Sequence, residues 1–298
     1  MSSVTTEQID IILSLWGISG KTVEHIYTSA HNSSWDVGGR FILQRQLSPD
    51  IEKLSRNILL SNLLAKENIP IIVYIKTTQG EWTSPDGAYT LTERLKGKHL
   101  DFYTSPDLMF EMGRGLAQLH VAFSRLEDEL QCREHNFITE WENYIKPGLF
   151  GVSNVIIKQT EDEISAVYEK LPRCLIHRDV HAQNVLFDNG KISGWLDFDL
   201  NRKDARIFDI AYLLAGLLVG RMEDSAKLSI WRILYQNLLD GYNDISPLTE
   251  NEINILPGLM IAVELLFVTY WNSVGNDSES VKAYELAKWL SCNKVSLK

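Results

Sequence analysis

Two short stretches of the chain carry the residue types that phosphoryl transfer requires. The first reads His-Arg-Asp-Val-His-Ala-Gln-Asn over 177–184, and the second reads Asp-Phe-Asp over 197–199. A carboxylate such as Asp179 can orient an attacking hydroxyl and accept its proton. The oxygens of Asn184 and Asp197 are ligands that hard Mg²⁺ prefers. The two stretches therefore favour metal-assisted phosphoryl transfer.

A predicted hairpin brings these two stretches together. Strand-like segments at Val185–Phe187 and Lys191–Leu196 flank Asn189-Gly190, a pair that favours a type I′ turn. Asn184 precedes the hairpin and Asp197 follows it. Closing the hairpin therefore places the two candidate metal ligands near one another.

Residues 1–95 predict a small β-rich lobe. Helices are predicted over 5–16 and 49–67, and strands over 21–30, 39–47, 69–76 and 88–93. The small and polar residues His31–Gly39 predict a turn between the first two strands.

Residues 96–298 predict a larger helical lobe. Helical periodicity dominates 108–123, 136–170, 206–220, 224–241 and 250–290. The apolar runs Ile210–Val219 and Met260–Val268 fit buried helices better than membrane spans, since the first is short and Glu264 interrupts the second. The expected fold is a bilobal α+β fold, with the joint at Arg94–Lys98.

The motifs resemble those of eukaryotic-like kinases, in which His-x-Asp-x-x-x-x-Asn is followed by a metal-binding Asp. His181 and the Asp-Phe-Asp pattern are similar specifically to the aminoglycoside phosphotransferase/choline kinase family, which includes homoserine kinase-like members. Three further segments resemble that family in order: Glu93–Gly97 its hinge, Leu116–His120 its central helix, and Arg206–Leu213 a later helix start. The resemblance covers nearly the whole chain and implies a protein kinase-like fold.

The resemblance implies ATP and Mg²⁺ as cofactors and a small-molecule hydroxyl as acceptor. Asp179 would be the catalytic base, and Asn184 and Asp197 would hold Mg²⁺. Asp199 would lie close to the metal and reach it directly or through water. The chain would thus be a kinase that phosphorylates a small molecule.

Other residues of the motif have supporting roles in the family. His177 completes the catalytic set and, with Asp209, would support the catalytic loop. His181 would either meet phosphate or pack in place. Arg178 departs from the Gly that small-molecule kinases usually carry there and matches the protein-kinase form.

The nucleotide would be bound by the β-rich lobe. The backbone of Glu93 to Leu95 would hydrogen-bond the adenine. The turn over Ser29–Gly39, with Ser33 and Ser34, would lie over the phosphates.

The chain departs from the family where a strand Lys pairs with a helix Glu to grip the phosphates. The matching positions are Gln44 and Asn57. Another register makes Arg45 the phosphate grip and Glu52 its partner. If Gln44 and Asn57 are the true equivalents, either ATP affinity is reduced or the chain is a kinase-like binding or scaffold protein that no longer catalyses.

The net charge bears on possible partners, and the cysteines bear on the location of the protein. The net charge of −10 argues against nucleic-acid and anionic-membrane surfaces, which attract clustered Lys and Arg. The three cysteines, Cys132, Cys174 and Cys292, are scattered and lack metal-site spacing, which is typical of reduced thiols in a cytoplasmic protein.

The acceptor stays open among a homoserine-type amino alcohol, an aminoglycoside, a choline-like amine and a sugar, and the acidic balance mildly favours a cation. Glu264 interrupts an apolar helix, where an unpaired charge is costly. We expect it to pair with Arg221 or Arg232, or else to bind a substrate amine.

Overall fold

The computed structural model describes residues 5–28, 32–130 and 134–294, and the chain divides into two compact units. The first unit covers Met1–Lys98 together with Ser193–Leu196, and the second covers His99–Ile192 and Asp197–Lys298. The first is built around a sheet and the second is mainly helical. The α+β class predicted from the sequence is therefore confirmed.

The first unit contains a five-stranded antiparallel sheet in the order β1-β2-β3-β5-β4. Its elements are α1 (Thr6–Ser14), β1 (Val23–Thr28), β2 (Asn32–Val37), β3 (Phe41–Gln46), α2 (Ile51–Lys66), β4 (Tyr74–Ile75) and β5 (Tyr89–Glu93). One face of the sheet presents Trp35, Leu43 and Leu91, which form a buried core with Ile9 and Leu13 of α1. Strand alternation leaves the opposite face to more polar residues.

Residues 32–37 form β2, so the turn predicted over His31–Gly39 is wrong for this stretch, and His31 itself lies outside the described residues. Trp35 and Val37 alternate along β2 and bury their side chains, which supplies the apolar face that a strand needs. The tight turn is at Gly38 and Gly39, whose φ angles of 62° and 68° suit glycine.

The second unit carries helices in each segment where the periodicity predicted them, and also a short helix over 127–130, which was not predicted. They are α3 (Leu108–Arg125), α4 (Glu127–Leu130), α5 (Phe137–Glu140), α6 (Asn154–Val167), α7 (Ile207–Leu218), α8 (Ser225–Ile245), α9 (Glu250–Ser273) and α10 (Asp277–Asn293). By length and composition α9 could cross a membrane, but 72% of its most apolar stretch is buried inside the protein. The prediction of buried helices for the apolar runs is therefore confirmed.

Short strands interrupt the helices where the motifs lie. β6 (Arg173–Ile176) pairs antiparallel with β9 (Arg202–Ala205), and β7 (Val185–Asp188) pairs with β8 (Lys191–Trp195). The turn between β7 and β8 has φ angles of 50° at Asn189 and 75° at Gly190, as a type I′ turn requires. The predicted hairpin is thus confirmed.

The helices α3 and α8 cross at backbone contact, and glycine makes this possible. A Cβ atom on Gly113 would lie 2.1 Å from the Leu238 carbonyl oxygen and 2.8 Å from the Tyr242 nitrogen. A Cβ atom on Gly241 would lie 2.0 Å from the Phe110 carbonyl oxygen. No side chain fits at either position unless the helices separate.

We predict that Gly113→Ala destabilises the protein by about 1–3 kcal/mol, because overpacking forces the two backbones apart. The matched control is Gly216→Ala in α7, where a Cβ atom meets nothing within 4 Å. That change should stabilise by about 0.5–1 kcal/mol, since alanine loses less backbone entropy than glycine. Urea unfolding followed by circular dichroism measures both, and equal midpoints for the two variants would contradict the prediction.

Candidate active site

The candidate catalytic loop, residues 177–184 after β6, is anchored by one buried carboxylate. Asp209, in the first turn of α7, accepts the backbone N–H of His177 at 2.8 Å and that of Arg178 at 2.7 Å. Its Oδ2 also lies 3.0 Å from His120 Nε2, and His120 Nδ1 lies 2.8 Å from the Tyr242 hydroxyl. The structure thus brings together the two residues predicted to support this loop, His177 and Asp209.

The candidate base, Asp179, is held by several donors. Its Oδ1 accepts the Tyr212 hydroxyl at 2.6 Å, and its Oδ2 accepts Asn184 Nδ2 at 2.9 Å. His181 Nε2 lies 3.6 Å from the same Oδ2. Burial alone would raise the pKa of Asp179, but His181 and Tyr212 outweigh it and lower the pKa to about 2. Asp179 is therefore ionised and can accept a proton at neutral pH.

Tyr212 is a site residue that the sequence reasoning missed. It lies on α7 three residues after Asp209, and residues at that spacing share one helix face. The ring also packs at 5.5 Å from Phe267 of α9. Helical spacing from the predicted support Asp209 is the signal that could have found it.

The candidate metal ligands follow β8 and precede β7. Asp197 has a φ of 55° and accepts the Asp199 N–H at 3.3 Å, while Asn184 donates Nδ2 to the Asp179 backbone carbonyl at 2.9 Å. Burial, then the charges of Asp199 and Asp179, raise the pKa of Asp197. Carboxylates crowded in this way favour a bound cation.

The donor set suits a metal that arrives with a nucleotide. Across the described ranges, no three His, Cys, Asp or Glu side chains lie close enough together to hold a metal ion. Mg²⁺ is usually held by one or two carboxylates while substrate phosphates and waters supply the remaining oxygens. Asn184, Asp197 and Asp199 fit that incomplete set.

Arg178 adopts a backbone conformation that favours glycine, with a φ of 67°. Its side chain is 6% exposed, forms an ion pair with Glu140 and lies 5.4 Å from the Phe208 ring centroid. Its Nη1 lies 3.2 Å from His135 Nε2, and His135 Nδ1 lies 2.6 Å from Asp204. These contacts offset the backbone strain that arginine has there and glycine would avoid.

Gln44 lies at the strand position that resembles the family's lysine. It stands opposite Ser34 on β2 and Thr90 on β5, so the three polar side chains share one face of the sheet. Asn57, the residue at the position of the helix glutamate, lies on α2. Gln44 and Asn57 therefore lie on the third strand and on the helix that follows it, as the resemblance implies.

Arg45 points to the opposite face. Its guanidinium carbon lies 5.7 Å from the Tyr89 ring centroid, and its Nε is buried without a hydrogen-bond partner. Glu52 is exposed, and the part of the chain that the structure describes has no ion pair between Arg45 and Glu52. The register with Arg45 paired to Glu52 therefore has no support in the strand geometry.

The remaining predicted nucleotide contacts lie in the first unit. Ser33 and Ser34 lie on β2 and not in a turn. Ser33 Oγ lies 3.1 Å from Thr28 Oγ1 on the neighbouring strand β1. The Glu93 N–H donates to the Val73 carbonyl at 3.2 Å. The Glu93 N–H is thus used within the sheet, and the candidate adenine contacts are the Glu93 carbonyl and the Leu95 N–H.

Comparison with known proteins identifies the class of this chain. It belongs to the phosphotransferase enzyme family, abbreviated APH, whose model matches residues 25–242. A homoserine kinase from Methylobacillus flagellatus is 28% identical over 284 residues, which cover 92% of this chain and 83% of that protein. A homoserine kinase from Methylobacillus glycogenes is 28% identical over 255 residues, covering 83% of this chain and 76% of that protein.

Solved structures share the fold. The amicoumacin kinase hAmiN, in complex with AMP-PNP, Ca²⁺ and Ami, superposes with a TM-score of 0.68 at 18% identity, covering 90% of this chain and 87% of that one. The GDP complex of aminoglycoside 2′-phosphotransferase-IIIa has a TM-score of 0.67 at 18% identity, covering 97% and 98%. The predicted family and the protein kinase-like fold are both confirmed.

We predict that Arg178→Gly destabilises the fold by about 2–4 kcal/mol, because removing one partner of a buried ion pair costs about 3–5 kcal/mol and glycine recovers about 1 kcal/mol of backbone strain. The double variant Arg178→Gly/Glu140→Gln should regain part of the loss, since no unpaired charge stays buried. Chemical unfolding measures both. A double variant less stable than the single one would show that the pair is not what Arg178 contributes.

Proposed function

We propose that the chain transfers the γ-phosphoryl group of ATP to the hydroxyl of a small amino alcohol, with Asp179 as the base and Mg²⁺ as the metal. As a member of the phosphotransferase enzyme family with homoserine kinase relatives, the chain is an ATP-dependent small-molecule kinase, as predicted. The observation that carries the residue-level proposal is the fixed Asp179 carboxylate. The homoserine kinases among its relatives support an acceptor of that size and class.

Asp179 accepts the proton of the attacking hydroxyl in this mechanism. The hydrogen bonds from Tyr212 and Asn184 fix the plane of its carboxylate, so it is positioned before the acceptor arrives. A fixed base of this kind contributes about 10²–10⁴-fold to rate. His177 takes part only as a support, because its ring is fully buried and packs 4.5 Å from the Phe198 ring.

Asn184 and Asp197 would hold the metal, with Asp199 beside them. Mg²⁺ bound there would neutralise charge on the nucleotide phosphates and on the phosphoryl group in transfer. Because the Nδ2 group of Asn184 donates to Asp179, its Oδ1 is the atom suited to ligation. One side chain thereby links the base to the metal set.

On the nucleotide side, we propose that the Glu93 carbonyl and the Leu95 N–H contact the adenine, and that Ser34 and Gln44 lie near the phosphates. Ser33 stands opposite Arg45, so its side chain lies on the same face of the sheet as Arg45. Gln44 can donate an amide hydrogen bond but carries no charge. ATP affinity below that of a lysine-bearing relative follows from this difference. Arg45 would act only from the other sheet face.

An impaired, kinase-like binding protein is the second candidate, and Gln44 favours it. The retained Asp179, Asn184 and Asp197 favour catalysis. Steady ATP turnover with any acceptor separates the two candidates. The expected lack of nucleic-acid and membrane partners stays a prediction from the net charge of −10, and a cytoplasmic location stays a prediction from the scattered cysteines.

We predict that Asp179→Asn lowers kcat by about 10²–10⁴-fold while ATP binding is kept, because the change removes the base and leaves the metal ligands. Phosphorylation of homoserine, ethanolamine and kanamycin, followed by coupled ADP release, provides the assay. Asp188→Asn, at an exposed residue of the hairpin, is the matched control. Wild-type turnover in Asp179→Asn would rule out Asp179 as the base.

We predict that Asp197→Ala abolishes stabilisation by Mg-ATP, because it removes a ligand that holds the metal against the phosphates. A ligand at 100 times its Kd stabilises a fold by about 2.7 kcal/mol, which thermal unfolding detects easily. The control Asp188→Ala should show the same increase in unfolding temperature with Mg-ATP as the wild type. If Asp197→Ala keeps the full Mg-ATP shift, Asp197 is not a metal ligand.

A further inference from the structure

Glu264, in the middle of α9, is a buried acid without a partner. Its side chain is 1% exposed, and its Oε1 has no hydrogen-bond partner in the structure. The predicted ion pair with Arg221 or Arg232 is wrong. Arg221 donates instead to the Leu217 carbonyl at 3.2 Å and lies over the Tyr103 ring, while Arg232 is exposed.

A buried polar group without a hydrogen bond is uncommon and needs a physical reason. Burial raises the pKa of Glu264 to about 8, and no other charged group contributes to that shift. Among the described residues, no cation on the neighbouring helices α6, α7 and α10 therefore compensates it. An apolar residue of similar size would be more stable at this position, so the carboxyl indicates a use.

Glu264 shares one face of α9 with aromatic residues. Phe267 and Trp271 follow it at the i+3 and i+7 positions, which align along a helix. Both are partly exposed, as is Tyr212, whose ring lies 5.5 Å from that of Phe267. The Tyr212 hydroxyl in turn donates to Asp179 at 2.6 Å. An aromatic strip therefore connects the buried acid to the candidate base.

The acids around Tyr212 differ in how they are satisfied. Burial raises the pKa of Tyr212 most, and Asp179, Glu264 and Asp209 raise it further. Asp209 is satisfied by backbone N–H groups and His120, and Asp179 by Tyr212 and Asn184. Glu264 is the member of this group that has an unsatisfied oxygen. The unsatisfied oxygen suits a cationic ligand, because a cation would stabilise the ionised form of this carboxyl.

We propose that Glu264 binds the protonated amine of the acceptor, and that Tyr212, Phe267 and Trp271 flank the acceptor's carbon chain. This inference rests on the proposed function and assigns the residues that recognise the ammonium group of the amino alcohol. Aromatic faces attract ammonium groups, and this attraction is stronger where water is excluded. Pairing with an ammonium favours the carboxylate, so Glu264 releases its proton to solvent when the acceptor binds.

Proton release on binding tests the inference without requiring turnover. Titration calorimetry of the full chain with homoserine, ethanolamine and kanamycin, at pH 7 in two buffers of different ionisation enthalpy, measures it. Because Glu264 has a pKa of about 8 before binding, wild type should release close to one proton with at least one of these amines. Glu264→Gln should release none and bind that amine at least tenfold more weakly.

Two controls separate this effect from a loss of folding and from failure of the proposed function. Glu142→Gln changes an exposed acid in the helical turn at Trp141–Ile145 and should behave as wild type. An unchanged thermal midpoint for Glu264→Gln shows that it folds. Amine binding with proton release but without phosphorylation of any acceptor would support the inference and overturn the proposed function.

Other outcomes overturn the inference. It fails if none of the three amines releases a proton from the wild type. It also fails if Glu264→Gln phosphorylates homoserine with the same kcat/KM as wild type. In that second case the proposed function stands, because turnover has been observed.

Discussion

The carboxylate of Asp209 is the contact on which the arrangement of the site depends. It is fully buried at the start of α7, where the helix dipole favours negative charge, and each of its oxygens accepts a backbone N–H from the catalytic loop. Backbone anchoring of this kind constrains the loop whatever side chains it carries. The left-handed conformation at Arg178 follows directly after these two fixed N–H groups, and the next N–H, that of Asp179, donates to His177 Nδ1 at 3.3 Å.

The helix α7 therefore has two tasks. Its first turn fixes the loop backbone through Asp209, and its next turn fixes the carboxylate of Asp179 through Tyr212. Packing of Tyr212 against Phe267 ties that hydroxyl to α9, which carries Glu264. The candidate base, the hydroxyl that orients it and the buried acid are thus carried by elements that pack directly on each other.

Much of the fold and the centre of the site could be predicted from sequence because they depend on local spacing. Helical periodicity predicted the helices, and the Asn-Gly turn predicted the hairpin whose two ends carry Asn184 and Asp197. The strand β2 was missed because its small polar residues match a turn composition, although Trp35 and Val37 supply the buried face.

Contacts between residues far apart in the chain were beyond the sequence. The pairing of Arg178 with Glu140 depends on tertiary packing that no spacing rule encodes. Helical spacing from Asp209 can indicate Tyr212, but it does not give Asp179 as the acceptor of the Tyr212 hydroxyl. The same limit explains the error over Glu264. Arg221 was an available cation by sequence, but it binds carbonyls at the C-terminal end of α7, where cations are favoured.

The glycine crossing of α3 and α8 links global packing to the chemistry of the loop. Tyr242, whose backbone nitrogen faces Gly113, also holds His120 against Asp209. A change in the spacing between α3 and α8 would therefore move Tyr242 and disturb the hydrogen bonds that run through His120 and Asp209 to the loop backbone. Directed evolution for new acceptors could therefore vary the aromatic residues on α9. Substitutions at Gly113 or Gly241 would instead separate the two helices and disturb the active site.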